Sequence, residues 1–223
     1  MNNHLEILKT FTGNDPLRPI FDEPFLIENT IYATDARIMA WTASVNVDKE
    51  IKPYDKPENI TKVIPTEINQ DFEIKLNTLK GIFDNAPMID EVEVIGGDVD
   101  CPECDGKGEV EWEYDYHTKE MDCPLCDGSG LKENKEEVKT GNKILDGSKA
   151  IKIGRFNFRI DLLKKIYDAA LSTKSKNIKL VHQLLSKDGS LFEFNDFKVL
   201  IMSVNCREEN VIYTIENDLI ASE

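Results

Sequence analysis

The sequence predicts an α+β fold in which a helix-plus-antiparallel-sheet unit occurs twice and is interrupted by a cysteine-bearing β-ribbon. Three observations predict it. A short amphipathic helix followed by three strand-like runs opens the chain, and a helix followed by three further runs closes it. Between them stand two C-x-x-C pairs in repeated surroundings. The charge is segregated to match: residues 90–150 hold 18 Asp/Glu against 7 Lys/Arg, whereas residues 1–89 hold 14 against 9 and residues 151–223 hold 10 against 11. An acidic stretch without aliphatic periodicity reads as a solvated excursion from a core built by its two flanks. The expected divisions are 1–95, 96–148 and 149–223.

At the N-terminal side, Leu5, Ile7, Leu8 and Phe11 have helical spacing, and Gly13 and Pro16 stop the pattern. Strand-like runs follow at Pro24–Glu28, Thr30–Asp35 and Arg37–Thr42. Pro53–Pro65 is proline-punctuated and extended. Phe72, Leu76, Leu79, Ile82 and Phe83 then share one face of a second helix. After the acidic segment, Ala150–Phe158 reads as one strand feeding a helix at about 160–171. Three strands follow at 177–182, 190–194 and 197–204, with a turn at Asp188-Gly189. Cys206 reads as a buried thiol in an apolar strand.

Four of the five cysteines fall in two copies of one pattern: Cys101-Pro102-Glu103-Cys104-Asp105-Gly106-Lys107-Gly108 and Cys123-Pro124-Leu125-Cys126-Asp127-Gly128-Ser129-Gly130. Paired C-x-x-C units supply four thiolates for one tetrahedral ion, and soft sulfur ligands suit Zn²⁺, with iron an alternative on ligand type. Glycines after each second cysteine let the chain turn back so that amide N–H groups point at sulfur. Redox or disulfide pairs are the competing reading, which a reducing compartment disfavours. Four protein ligands leave no position for water, so the expected metal is structural rather than catalytic. The alternation from Glu109 to His117 predicts a two-stranded ribbon in which Val110, Trp112 and Tyr114 meet only where the pattern slips. His117 is expected at the surface.

The unit C-x-x-C-x-G-x-G resembles the cysteine-rich region of DnaJ-type chaperones. This chain carries two such units, hence one site, and has no His-Pro-Asp signature of a J-domain. The flanks resemble the processivity clamp of bacterial DNA polymerases in three places. Tyr32-Ala33-Thr34-Asp35-Ala36-Arg37-Ile38 is similar to that family's strand and turn, with Ala36 in place of its glycine and no counterpart of its histidine. Pro53-Tyr54 through Val63-Ile64-Pro65 resembles its linker. Ile153-Gly154-Arg155-Phe156-Asn157-Phe158, Leu162-Leu163 and Val199–Val204 resemble its closing elements, with Ser203 in place of a proline. The resemblance implies one clamp-like domain of phage or mobile-element type, and sequence-independent contact with DNA.

Residues 151–187 carry nine Lys/Arg against Asp161 and Asp168. Lys152, Arg155, Arg159, Lys164, Lys165, Lys174 and Lys176 are the candidate phosphate contacts, against the simpler reading of a solvated helix with alternating charges. Trp112 and Tyr114 are the candidate protein-docking residues, for a basic or unfolded polypeptide. Catalysis finds little support: there is no phosphate-cradling glycine loop, no G-x-S-x-G elbow and no H-E-x-x-H helix, and the histidines are His4, His117 and His182. No apolar run is long enough for a membrane span and the first residues do not form a signal peptide, so a cytoplasmic protein is expected.

Overall fold

Alternation of large apolar side chains along the strands decides how the main sheet is buried. In the computed structural model, which describes residues 3–14, 17–43 and 51–216, the first elements are α1 (Asn3–Lys9), β1 (Phe25–Ile27), β2 (Thr30–Thr34), β3 (Ile38–Ala43), α2 (Glu58–Thr61), β4 (Phe72–Lys75) and α3 (Leu76–Asp84). After them come β5 (Met88–Asp100), β6 (Glu109–Tyr114), β7 (His117–Asp122) and β8 (Leu131–Leu145). The chain closes with β9 (Ala150–Ile153), β10 (Phe156–Arg159), α4 (Ile160–Ser172), β11 (Asn177–Gln183), β12 (Ser190–Phe194), β13 (Phe197–Ile201) and β14 (Val211–Ile215). Two compact units result, Met1–Pro87 with Leu145–Glu223, and Met88–Ile144.

The first unit is built on a seven-stranded antiparallel sheet in the order β1-β2-β3-β13-β12-β11-β4. Two three-stranded meanders, β1–β3 and β11–β13, thus meet through their last strands, with Ala40 opposite Val199 and Met39 opposite Leu200. Odd and even positions go to opposite faces. Ile31, Ala33, Ile38, Ala40, Val199 and Ile201 enter one core with α1, α3 and α4, while Tyr32, Met39, Trp41 and Leu200 enter a second with Phe25 and Ile60. The sheet is therefore covered on both faces. In α4, Ile160, Leu163, Ile166, Tyr167 and Ala170 point inward, and Phe83 of α3 lies 5.2 Å from the Tyr167 ring. A small sheet, β10-β9-β14, completes this core, with β14 parallel to β9.

Several expectations change. Ala150–Phe158 is a hairpin, because Gly154 takes φ +60 and turns the chain so that Ile153 faces Phe156. Phe72 belongs to a strand leading into α3, where Phe72 and Ile74 alternate inward with Glu73 and Lys75 outward. The last predicted strand stops at Ile201. Cys206 lies in the following loop and is only half-buried. Pro53–Pro65 holds the short α2, and Pro16 lies outside the described residues.

The second unit consists of two ribbons, β5 with β8 and β6 with β7, and the cysteine loops. Its bounds take in the whole of β5, against 96–148 from the sequence. Pairing of β6 with β7 is regular, with Val110 opposite Met121, Trp112 opposite Lys119 and Tyr114 opposite His117. Val110, Trp112 and Tyr114 therefore share a face with no slip in the alternation. Among the described residues no helix is long and apolar enough to cross a membrane.

Candidate functional site

Each C-x-x-C knuckle is shaped by the residues that follow it. Asp105, Gly106 and Gly108 take φ of +50, +79 and +82, and Asp127, Gly128 and Gly130 take +51, +78 and +74. The two loops thus repeat one backbone path, in a region that favours glycine. Their hydrogen bonds repeat as well. The Gly108 N–H donates to Cys104 Sγ at 3.2 Å and the Gly130 N–H to Cys126 Sγ at 3.3 Å. The knuckles also clasp each other reciprocally, Cys101 N–H to the Gly130 carbonyl and Cys123 N–H to the Gly108 carbonyl, both at 2.8 Å.

This framework brings all four sulfurs within 4.8 Å of one another. Cys101 and Cys123 stand 3.9 Å apart, and Cys104 and Cys126 3.7 Å apart. A tetrahedron with Zn–S bonds of ~2.3 Å has edges of ~3.8 Å. A disulfide needs ~2.05 Å. The spacing fits four ligands around one ion. Cys101, Cys104 and Cys123 are buried and Cys126 is half-buried. Burial pushes the Cys104 thiol up to about 11. At Cys126 burial acts in the same upward direction, but the Gly130 N–H and the neighbouring thiols outweigh it and hold the group at about 7. Amide donors at sulfur favour the thiolate that a metal requires. His117 is exposed on the ribbon and takes no part in the cluster.

A second feature lies in the first unit: an open groove of about 760 Å³. Thr34, Ala36, Arg37 and Ile38 line it from the β2–β3 turn, Val63, Ile64 and Pro65 from the segment after α2, and Leu200 and Met202 from the end of β13. Pairing of Ile38 with Ile201 is what brings the turn and β13 together. Arg18, Arg37, Lys62 and Lys187 contribute positive charge to the lining, against Glu67 and Asp188. His182, itself buried, places Nδ1 2.6 Å from the Glu67 carbonyl oxygen and so fixes one wall.

The turn at its edge is held from inside. Asp35, 5% exposed at its side chain, accepts hydrogen bonds from the Arg37 and Ile38 amides at 2.9 and 3.0 Å and lies 3.4 Å from Lys165 Nζ. Burial opposes its charge, but these amides and the Lys165 and Arg37 charges hold its carboxyl below the ordinary range. Ala36 takes φ +69, the left-handed conformation that glycine adopts most easily, and its N–H donates to Thr34 Oγ1.

No protein-family model matches the chain, and no curated protein matches it. Solved structures similar to it include three sliding clamps. The DnaN sliding clamp (DNA polymerase III subunit beta) of Bartonella birtlesii, bound to griselimycin, shares 11% identity at a TM-score of 0.47, over 91% of this chain and 63% of that one. DNA polymerase III subunit beta of Borrelia burgdorferi, in complex with a natural product, shares 10% at 0.45, over 92% and 61%. The sliding clamp of Pseudomonas aeruginosa shares 10% at 0.46, over 91% and 64%. The chain spans less than two thirds of the length of each.

The candidate phosphate contacts are spread over several elements. Lys152 is on β9 and Arg155 in the β9–β10 turn, both exposed, and Lys174 and Lys176 sit between α4 and β11. Three of the seven face carboxylates of this chain: Arg159 Nη2 is 2.6 Å from Asp161, Lys164 Nζ 2.6 Å from Asp168, and Lys165 is beside Asp35. Trp112 and Tyr114 are solvent-exposed on the β6–β7 ribbon. The sequence reading missed the groove altogether, since its walls come from five separate stretches of the chain.

Proposed function

We propose that this chain is a non-enzymatic accessory protein of sliding-clamp type, acting in DNA replication or maintenance, whose acidic unit is folded by one structural zinc ion. One observation carries the accessory reading. The clamp-like turn Thr34–Ile38, the linker end Val63-Ile64-Pro65 and the β13 end at Met202, which are far apart in the chain, converge on a single groove. An apolar cleft of several hundred Å³ with a few convergent polar groups is a binding site, and with a cationic rim it suits an extended apolar segment bearing carboxylates. The zinc ion supplies folding energy to a unit with little apolar core, and its four sulfur ligands leave it no open position for chemistry. Lys152, Arg155, Lys174 and Lys176 are the contacts proposed for DNA backbone.

The test is duplex binding followed by fluorescence anisotropy over a range of salt, with native mass spectrometry on the same sample. The expected result is weak, sequence-independent binding whose logarithm falls linearly with the logarithm of salt, together with a closed assembly of copies. A monomer with no salt-sensitive affinity for duplex contradicts the proposal.

A further inference from the structure

The β6–β7 ribbon has two faces of opposite chemistry. Register places Glu109 opposite Asp122 and Glu111 opposite Glu120, with Glu113 opposite Thr118, so five carboxylates lie on one face. Val110, Trp112, Tyr114 and Met121 lie on the other, with Lys119 and His117. Trp112 is 57% exposed and Tyr114 85% exposed. Monomer surfaces seldom present such aromatics together unless something covers them.

The two edges of this ribbon differ. Along β6 the outward residues are glutamates on one face and Val110, Trp112 and Tyr114 on the other. Along β7, Lys119 and His117 interrupt the apolar side. Among the described residues this sheet contains these two strands alone, so the outer edge of β6 is open to a third. A strand added there places alternate side chains over alternate faces.

We propose that the β6 edge captures an extended basic polypeptide whose Lys or Arg residues alternate with apolar ones. The basic side chains pair with Glu109, Glu111 and Glu113, and the apolar ones cover Trp112 and Tyr114. Charge selects this occupant. Residues 88–144 hold 17 Asp/Glu against 6 Lys/Arg, which repels nucleic acid. A second copy of β6 would set glutamates against glutamates, which is destabilising across a strand pair. The inference rests on the zinc reading only in that the metal folds this unit; it is independent of the groove and of DNA.

The test uses the full chain loaded with zinc and a fluorescent octapeptide of alternating lysine and valine. Two comparison peptides accompany it: the same composition in two blocks, and the alternating sequence with alternate backbone amides N-methylated. The expected result is saturable binding by the alternating peptide, with each comparison peptide at least about tenfold weaker. Trp112→Ala or Tyr114→Ala should weaken binding about tenfold, and Glu111→Lys combined with Glu113→Lys should abolish it. Zinc content is measured for every variant; because Tyr114 is almost fully exposed, Tyr114→Ala tests the surface without disturbing the fold. Equal binding of alternating and block peptides, or unchanged affinity in Tyr114→Ala, overturns the proposal. Peptide binding without duplex binding or ring assembly refutes the clamp reading and leaves this one standing. A metal-free protein that binds peptide refutes the zinc reading alone.

Discussion

Replacing Gly130 by alanine probes the metal centre without touching a ligand. Gly130 takes φ +74, and a left-handed conformation costs a non-glycine residue ~1–2 kcal/mol. An added Cβ would also press on the backbone of Gly106, with the carbonyl carbon at 3.0 Å and its oxygen closer still. That backbone belongs to the opposite knuckle and is clasped to it, so it cannot swing aside as a side chain would. The loop must open, withdrawing the Gly130 N–H from Cys126 Sγ and the Gly130 carbonyl from the Cys101 amide. Losing outer hydrogen bonds of this kind weakens metal affinity by ~10–100-fold. Gly141→Ala is the control, since Gly141 takes φ +87 but its Cβ would meet nothing within 4 Å. Competition for zinc against a chromophoric chelator reads the difference. Equal zinc affinities for Gly130→Ala and Gly141→Ala would refute the reasoning.

Other consequences follow from single contacts. Ala36→Gly should raise the denaturation midpoint, stabilising the first unit by ~1 kcal/mol, because it relieves the left-handed alanine at φ +69. Gln183→Leu should destabilise by ~1–3 kcal/mol in urea unfolding, since buried Gln183 accepts from the Arg155 N–H and donates to the Ile153 carbonyl, holding the β9–β10 hairpin. Asp35 has a lowered carboxyl pKa, so its contribution is full above the unfolded carboxylate value and is lost as pH falls through the folded one. In acid titrations Asp35→Asn should therefore be less stable near neutrality and show a shallower loss below about pH 4 than the parent chain. Leu79→Ala should cost ~2–5 kcal/mol in the first unit, where Leu79 is 2% exposed, and leave zinc affinity unchanged.

Much of this was legible because local chemistry dictated it. The repeated C-x-x-C-x-G-x-G units determine both ligands and loop path, and they assemble as one cluster. The meanders were legible because Ile31, Ala33, Ile38 and Ala40 alternate strictly with Tyr32, Met39 and Trp41. The β9–β10 hairpin was missed although a signal existed: inward residues shift parity between Ile153 and Phe158, as a two-residue turn requires. Phe72 fits a helical period with Leu76 and Leu79, and Ile74 was the residue that argued for a strand. The groove could not be read, because it depends on β3 pairing with β13 across more than half the chain, and no local pattern encodes that pairing. The two-faced β6–β7 ribbon was legible in principle from Glu-x-Glu-x-Glu alternating with Val110, Trp112 and Tyr114.

Absorption spectroscopy at the zinc edge, combined with elemental analysis of the purified chain, tests the central claim most directly. One zinc per chain surrounded by four sulfur atoms at ~2.3 Å is the predicted result. A metal-free protein that keeps its second unit folded, or a first shell containing nitrogen or oxygen, contradicts it.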